Sequence, residues 1–276
     1  MKYLSVLTPG KVVKHRLSRL SALALLALLT VSAAAHFSPE GLAQAYNQTC
    51  VDGVGPAASL ESCDLSEAYL PNSTLNDAQL DYANLDGITL TGSNLTGVDL
   101  SFATLPDAYL SSADLTGAVL VDADLFQAYL DSARLANADL TGTYLYDAYL
   151  GSANLSDAIL VDANMFDIHL SGATLDRADL RSANLFDAYL GSASLNGADL
   201  SNAYPADPTK RTDLSFAYLG GADLTNANLS DADLSYAFLA NAIMTGATVT
   251  GVTWENTICP DGTNSNDNGG TCVGTW

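Results

Sequence analysis

A leucine stands at every fifth position from Leu60 to Leu200, with Met165 the one exchange, which makes 29 consecutive units. Two residues before each centre lies a small side chain, alanine in 22 of the 29, so a pair of apolar groups recurs rather than leucine alone. The position between them is often Asp or Asn, as at Asp114, Asp124, Asn154 and Asp179. Nine further units run through Leu214, Leu219, Leu224, Leu229, Leu234, Leu239, Met244, Val249 and Trp254. A period of five defeats the ordinary elements. In an α-helix five residues advance about 500°, so successive leucines smear around every face. In a straight strand an odd period throws alternate leucines to opposite faces. A chain that turns a corner every five residues buries them all, with Leu and Ala both pointing inwards.

The variable positions count the sides. Tyr69, Tyr109, Tyr129, Tyr149 and Tyr189 fall on one 20-residue grid, with Thr89 and His169 between them, and Phe126, Tyr146, Phe166 and Phe186 fall on another. Side chains that recur every four units stack on their equivalents one coil below, so each coil has four sides and 20 residues. With coils stacked at the strand spacing of about 4.8 Å, 38 units make about nine to ten coils and a rod roughly 45 Å long.

The Ala-(Asp/Asn)-Leu-X-X pattern resembles that of the pentapeptide-repeat family over positions 58–256. The resemblance implies a right-handed quadrilateral β-helix, an all-β solenoid; the handedness comes from the family and not from the residues. The centres Leu200 and Leu214 are 14 residues apart. Counting Leu214 as the unit directly after Leu200 puts Tyr218 and Phe238 on the column of Tyr189. That count predicts a loop excursion at 201–213 with nine extra residues, a surface insertion rather than a domain boundary. It carries Lys210 and Arg211, the one adjacent basic pair beyond position 46 and a candidate partner contact.

Residues 1–45 read as a secretory signal peptide: five basic residues from Lys2 to Arg19, an uncharged apolar run from Leu20 to Ala35, then small-residue cleavage sites after Ala35 or Ala45. The apolar run falls short of the roughly 20 residues a membrane span needs, so cleavage without stable membrane insertion is expected. The formal charge of the whole chain is −21. Only Glu40 among the 31 acids precedes position 46, against five of the ten basic residues, so the mature chain carries 5 − 30 = −25. Such a surface repels nucleic acid and attracts cations or basic proteins.

Four cysteines follow the leader, Cys50, Cys63, Cys259 and Cys272, and an even count in an exported chain reads as disulfides. Bridged Cα atoms lie within about 7 Å, so a long rod selects Cys50–Cys63 and Cys259–Cys272. These staple an N-terminal cap at 46–57 and a C-terminal cap at 257–276.

Candidates for chemistry are sparse. His169, the one histidine beyond position 46, has no second His or Cys near it in the sequence and reads as a stacked surface residue. The acids Glu67, Asp107, Asp147, Asp167 and Asp187 share one column and read as a solvated polar face, whose mutual repulsion raises carboxyl pKa values. The stretch 261–270 is rich in oxygen ligands and glycine but lacks the closing Glu of a calcium loop. The expected function is therefore a non-enzymatic, exported acidic scaffold or protein-interaction module. It needs no catalytic, metal or cofactor residues, and its partner is a protein. Two alternatives are a DNA mimic, as the family resemblance implies, which export disfavours, and a polyvalent cation binder.

Overall fold

The computed structural model describes Cys50, residues 53–201, Ala203 and residues 212–276. Residues 1–45, half of the expected N-terminal cap, and Lys210 with Arg211 lie outside the described residues. The chain winds as a right-handed quadrilateral β-helix. From Ser59 to Asp179 each residue between the small position and the leucine pairs in parallel with its equivalent 20 residues on, Asp64 with Asn84, Tyr69 with Thr89 and Thr74 with Asn94.

Three backbone hydrogen bonds per side bind one coil to the next. Leu65 N–H donates to the Asn84 carbonyl at 2.8 Å, Asn84 N–H to the Cys63 carbonyl at 2.8 Å, and Ser62 N–H to the Asp81 carbonyl at 2.9 Å. The corner is a hydrogen-bonded turn, in which Ala68 N–H donates back to the Leu65 carbonyl at 3.1 Å. Inside the coils Leu115, Leu150, Ala113 and Ala148 are wholly buried, as both inward positions require. Each fully buried leucine contributes about 1.5–3 kcal/mol, and a coil has four such centres. Where the small position is polar and buried, the hydroxyl has a partner: Thr143 Oγ1 donates to the Leu120 carbonyl at 2.9 Å and Ser93 Oγ to the Leu70 carbonyl at 3.1 Å. Among the described residues no buried side-chain polar atom lacks a hydrogen-bond partner.

The second residue after each centre is left-handed. Twenty-eight non-glycine residues share φ between 52° and 64°, all at this corner position. It is the second central residue of a turn of the type II kind, which demands φ > 0. Gly, Asn and Asp tolerate that region best, and half of the twenty-eight are Asp or Asn. Asp107, Asp147, Asp167 and Asp187 all belong to this set. The column read as a solvated face is thus first a requirement of the turn. Asp162, at φ 58°, tests the point. Asp162→Val is expected to destabilise by about 1–2 kcal/mol, and Asp162→Asn to stay within about 0.5 kcal/mol, both read by urea denaturation.

The excursion is shorter than the sequence count. Asp199 pairs with Asp223, Ser194 with Tyr218 and Tyr189 with Asp213. Paired residues here are 24 apart instead of 20, so 24 − 20 = 4 extra residues enter the coil, not nine. Leu214 is two sides beyond Leu200, and Tyr218 and Phe238 stand on the column of Ser194, not that of Tyr189. Ala203 is buried, and its carbonyl accepts the N–H of Asn228 as a regular coil residue would. Thr212 likewise sends its hydroxyl to the Leu185 carbonyl at 3.1 Å. Residues 201, 203, 212 and 213 therefore belong to coils, and the four extra residues enter between Ala203 and Thr212.

At the far end Ile258 still pairs in parallel with Phe238, so the regular coil reaches past position 256 before the chain reverses to pair Ile258 with Asn264 antiparallel. Cys259 N–H donates to the Thr263 carbonyl at 2.8 Å, and Asn256 N–H to Asn266 Oδ1 at 3.2 Å. In the coil below, Leu239 and Tyr236 reach the next coil with the same donors. The cap stands in for a missing coil along that edge, followed by a 3₁₀ turn at Ser265–Asn268. The Sγ atoms of Cys50 and Cys63 are 2.00 Å apart and those of Cys259 and Cys272 are 1.99 Å apart.

Candidate interaction surface

Most carboxylates on the outside fall into two classes. The first stands between the small residue and the leucine, and its Oδ1 is spent on the corner that follows. Asp114 Oδ1 accepts the N–H of Thr116 at 3.1 Å and its hydroxyl at 2.6 Å, and Asp139 does the same for Thr141 at 3.0 and 2.6 Å. Asp199, Asp213, Asp223 and Asp233 each accept the N–H two residues on at 2.9 Å. This is the local side-chain turn that Asp and Asn favour. It explains why the repeat reads Ala-(Asp/Asn)-Leu-(Ser/Thr). The second class fills the left-handed corner. In both classes the backbone uses the residue type without needing its charge, since Asn serves equally at Asn94 and Asn154 in the first and at Asn72 and Asn137 in the second. The charge is left over for the surface.

Few cations neutralise it. Arg177 forks onto Asp157, with Nε to Oδ1 at 2.7 Å and Nη2 to Oδ2 at 2.6 Å, and Arg181 grips Asp179 at 2.7 and 2.6 Å in the same way. Those hydrogen bonds, from the Arg177 and Arg181 guanidiniums respectively, hold the Asp157 and Asp179 carboxyls below the usual carboxylate range. The Thr263 hydroxyl does the same for Asp261. The carboxyls of Asp157, Asp179 and Asp261 run downwards because each has its own donor. A depressed folded pKa stabilises above the unfolded value and is lost as pH falls through the folded one. Their help therefore begins to fade below about pH 4 and is gone once the pH has fallen through the lowered folded values. Unpaired charge acts in the opposite sense, and at pH 7 it dominates a chain of formal charge −21. A higher melting temperature is expected in about 0.5 M salt than in about 10 mM salt at pH 7, because salt screens like charges on adjacent coils. An unchanged or lower value would show that the repulsion is negligible.

Aromatic columns run up two adjoining faces. Tyr109, Tyr129, Tyr149, His169 and Tyr189 stack continuously, with centroids 5.1, 5.2, 4.6 and 4.8 Å apart and planes within 9°. Phe126, Tyr146, Phe166 and Phe186 stack at 5.3, 4.9 and 4.8 Å around the corner. His169 sits between two tyrosine rings with Nε2 3.6 Å from Asp147 Oδ1. It is a ring in a column, with no second His or Cys beside it. The Asp147 carboxylate, foremost, pushes the Tyr149 phenol above its ordinary value. Among the described residues no group of three or more His, Cys, Asp or Glu side chains is placed to hold a metal ion, and no helix is long and apolar enough to cross a membrane.

Coils of 20 residues, four leucine-centred sides and outward polar corners define a solenoid of the pentapeptide-repeat class. The chain belongs to the pentapeptide-repeat family. The family model described as pentapeptide repeats matches in 8 copies over residues 58–97, 93–131, 123–162, 163–202 and 210–251. Among solved structures the chain is similar to HetL, a pentapeptide repeat protein involved in heterocyst differentiation regulation from the cyanobacterium Nostoc sp. strain PCC 7120. Identity is 33%, the TM-score is 0.66, and the match covers 83% of this chain and all (100%) of that one. It is also similar to full-length QnrB1, a plasmid-mediated fluoroquinolone resistance protein, at 21% identity and a TM-score of 0.40 over 67% of this chain and 83% of that one. A third likeness is to a pentapeptide repeat protein of the Arabidopsis thaliana thylakoid lumen, at 23% identity and a TM-score of 0.29 over 44% and 79%. No curated protein matches the chain.

Proposed function

We propose that this chain is a non-enzymatic, exported acidic scaffold whose task is to dock a basic protein partner. The observation that carries the proposal is the division of labour within the Asp side chains. Oδ1 is consumed by the fold, while Oδ2 of Asp213, Asp223 and Asp233 meets no donor among the described residues. Asn would satisfy the same turn, so aspartate at these sites adds outward negative charge that folding does not require. Export rests on residues 1–45 and on two cysteine pairs that an oxidising compartment would keep closed. A cation-binding role has less support, because the turn already accounts for the acids at the corners. Lys210 and Arg211 remain a candidate contact in the insertion, outside the described residues.

The test is affinity capture from the exported compartment with the disulfide-intact protein, run beside a variant in which Asp213, Asp223 and Asp233 are all changed to Asn. Captured proteins are expected to be basic, to elute below about 0.5 M salt, and to be depleted on the Asn variant. Capture that ignores both salt and the Asn changes would overturn the proposal.

A further inference from the structure

The left-handed corner is a poor place for a bulky ring, yet Phe216 and Tyr236 occupy it at φ 58° and 61°. Their rings stack at 4.9 Å with planes 3° apart, one coil above the other. Ring planes that stack between successive coils lie across the helix axis, so every ring has one face towards the coil above and one towards the coil below. Phe216 has Tyr236 above it. Below it, at the same corner of the preceding coil, stands Ser192, which donates its N–H to the Ser215 carbonyl at 2.8 Å. A serine cannot cover a phenyl face. Among the described residues the lower face of Phe216 is therefore left open over a step, and the residue is 53% exposed.

A carboxylate overhangs the same step. Asp213 Oδ2 lies 3.3 Å from where a Cβ on Gly191 would sit, so a side chain at 191 would crowd it. Its Oδ1 is held by Ser215 N–H at 2.9 Å, and Oδ2 has no donor among the described residues. The step thus has a floor of Gly191 and Ser192, an aromatic roof from Phe216 and an anionic wall from Asp213. The surroundings extend the same chemistry. Tyr218 is 55% exposed on the adjoining side, and the Tyr236 hydroxyl donates to Glu255 Oε1 at 3.2 Å.

We infer that this step is a docking site for an arginine side chain presented by a basic protein segment. A planar guanidinium fits the level of the missing ring, stacks under Phe216 as the next member of the column, and offers N–H donors sideways to Asp213 Oδ2. Arginine combines planarity, charge and in-plane donors, whereas a lysine ammonium is a hydrated point charge that cannot stack. The inference rests on the acidic-scaffold reading and adds to it a defined seat and a side-chain preference.

The probe is a fluorescent peptide of alternating arginine and glycine, with a lysine–glycine twin, titrated by anisotropy in about 0.15 M salt. Ser192→Phe completes the column and fills the step, in a backbone state that already accepts Phe216. Phe216→Asn removes the roof with a residue the corner favours. Ser152→Phe, at φ 56° on a distant corner, controls for the substitution itself, and melting curves check folding. The arginine peptide is expected to bind about tenfold more tightly than the lysine peptide, and to lose about that factor with Ser192→Phe and with Phe216→Asn but not with Ser152→Phe. Equal binding of the two peptides, indifferent to both step variants, would overturn the step as a site. Salt-sensitive capture of basic partners would still stand in that case, so the two readings fail separately.

Discussion

Leu150→Ala is expected to cost about 2–5 kcal/mol of unfolding free energy, measured by urea denaturation. Leu150 is wholly buried in mid-stack, and its N–H donates to the His169 carbonyl at 2.7 Å. The size of the effect follows from the ladder. Coils are held at a fixed spacing by three hydrogen bonds per side, so the walls cannot close around a deleted side chain and most of the cavity persists. Leu70, which is only partly buried near the first coil, should cost clearly less when changed to Ala, because one side of it already faces water. Equal losses at the two sites would mean that the stack relaxes around cavities, contrary to a rigid ladder.

The second large effect belongs to the C-terminal staple. Replacing Cys259 and Cys272 together by Ala is expected to remove about 3 kcal/mol, the typical scale for opening a closed segment of this length, with a sequence separation of 13. The cap brings the Thr263 carbonyl and Asn266 Oδ1 to donors of the last coil, and Trp276 within 6.3 Å of Trp254. Released, the cap leaves those donors and Trp254 at an open edge, where a one-dimensional stack frays first. For a chain of this size the melting temperature should fall by about 10 °C. An unchanged melting temperature would show that the hairpin and 3₁₀ turn hold the end without the bridge.

Residue periodicity made the coil legible before any coordinates. Leucine every fifth residue demands a corner per unit, and tyrosines every twentieth demand four units per coil; Tyr129 over Tyr109 shows the stacking directly. The left-handed corner leaves a subtler signal in the sequence: Gly87, Gly92 and Gly97 occur at the same register as Asp77, Asp107 and Asn137. Gly, Asp and Asn alternating at one position is the mark of φ > 0, whereas a solvated face would accept Lys and Glu as readily. The insertion misled for another reason. Counting apolar centres skips a side when its centre is not leucine, and two different counts both bring aromatics into line. Ala203, five residues after Ala198, carried the correct register, because the small inward position persists where the leucine does not. The step under Phe216 was invisible, since it depends on which residue lies 24 positions earlier rather than 20.

The most direct test of an exported, disulfide-capped scaffold is the intact mass of the protein recovered from fractionated cells. The expected species lies in the exported fraction, lacks residues 1–35 or 1–45, and is lighter by the four hydrogens of two closed disulfides. A full-length chain with four free thiols in the cytoplasm would contradict it.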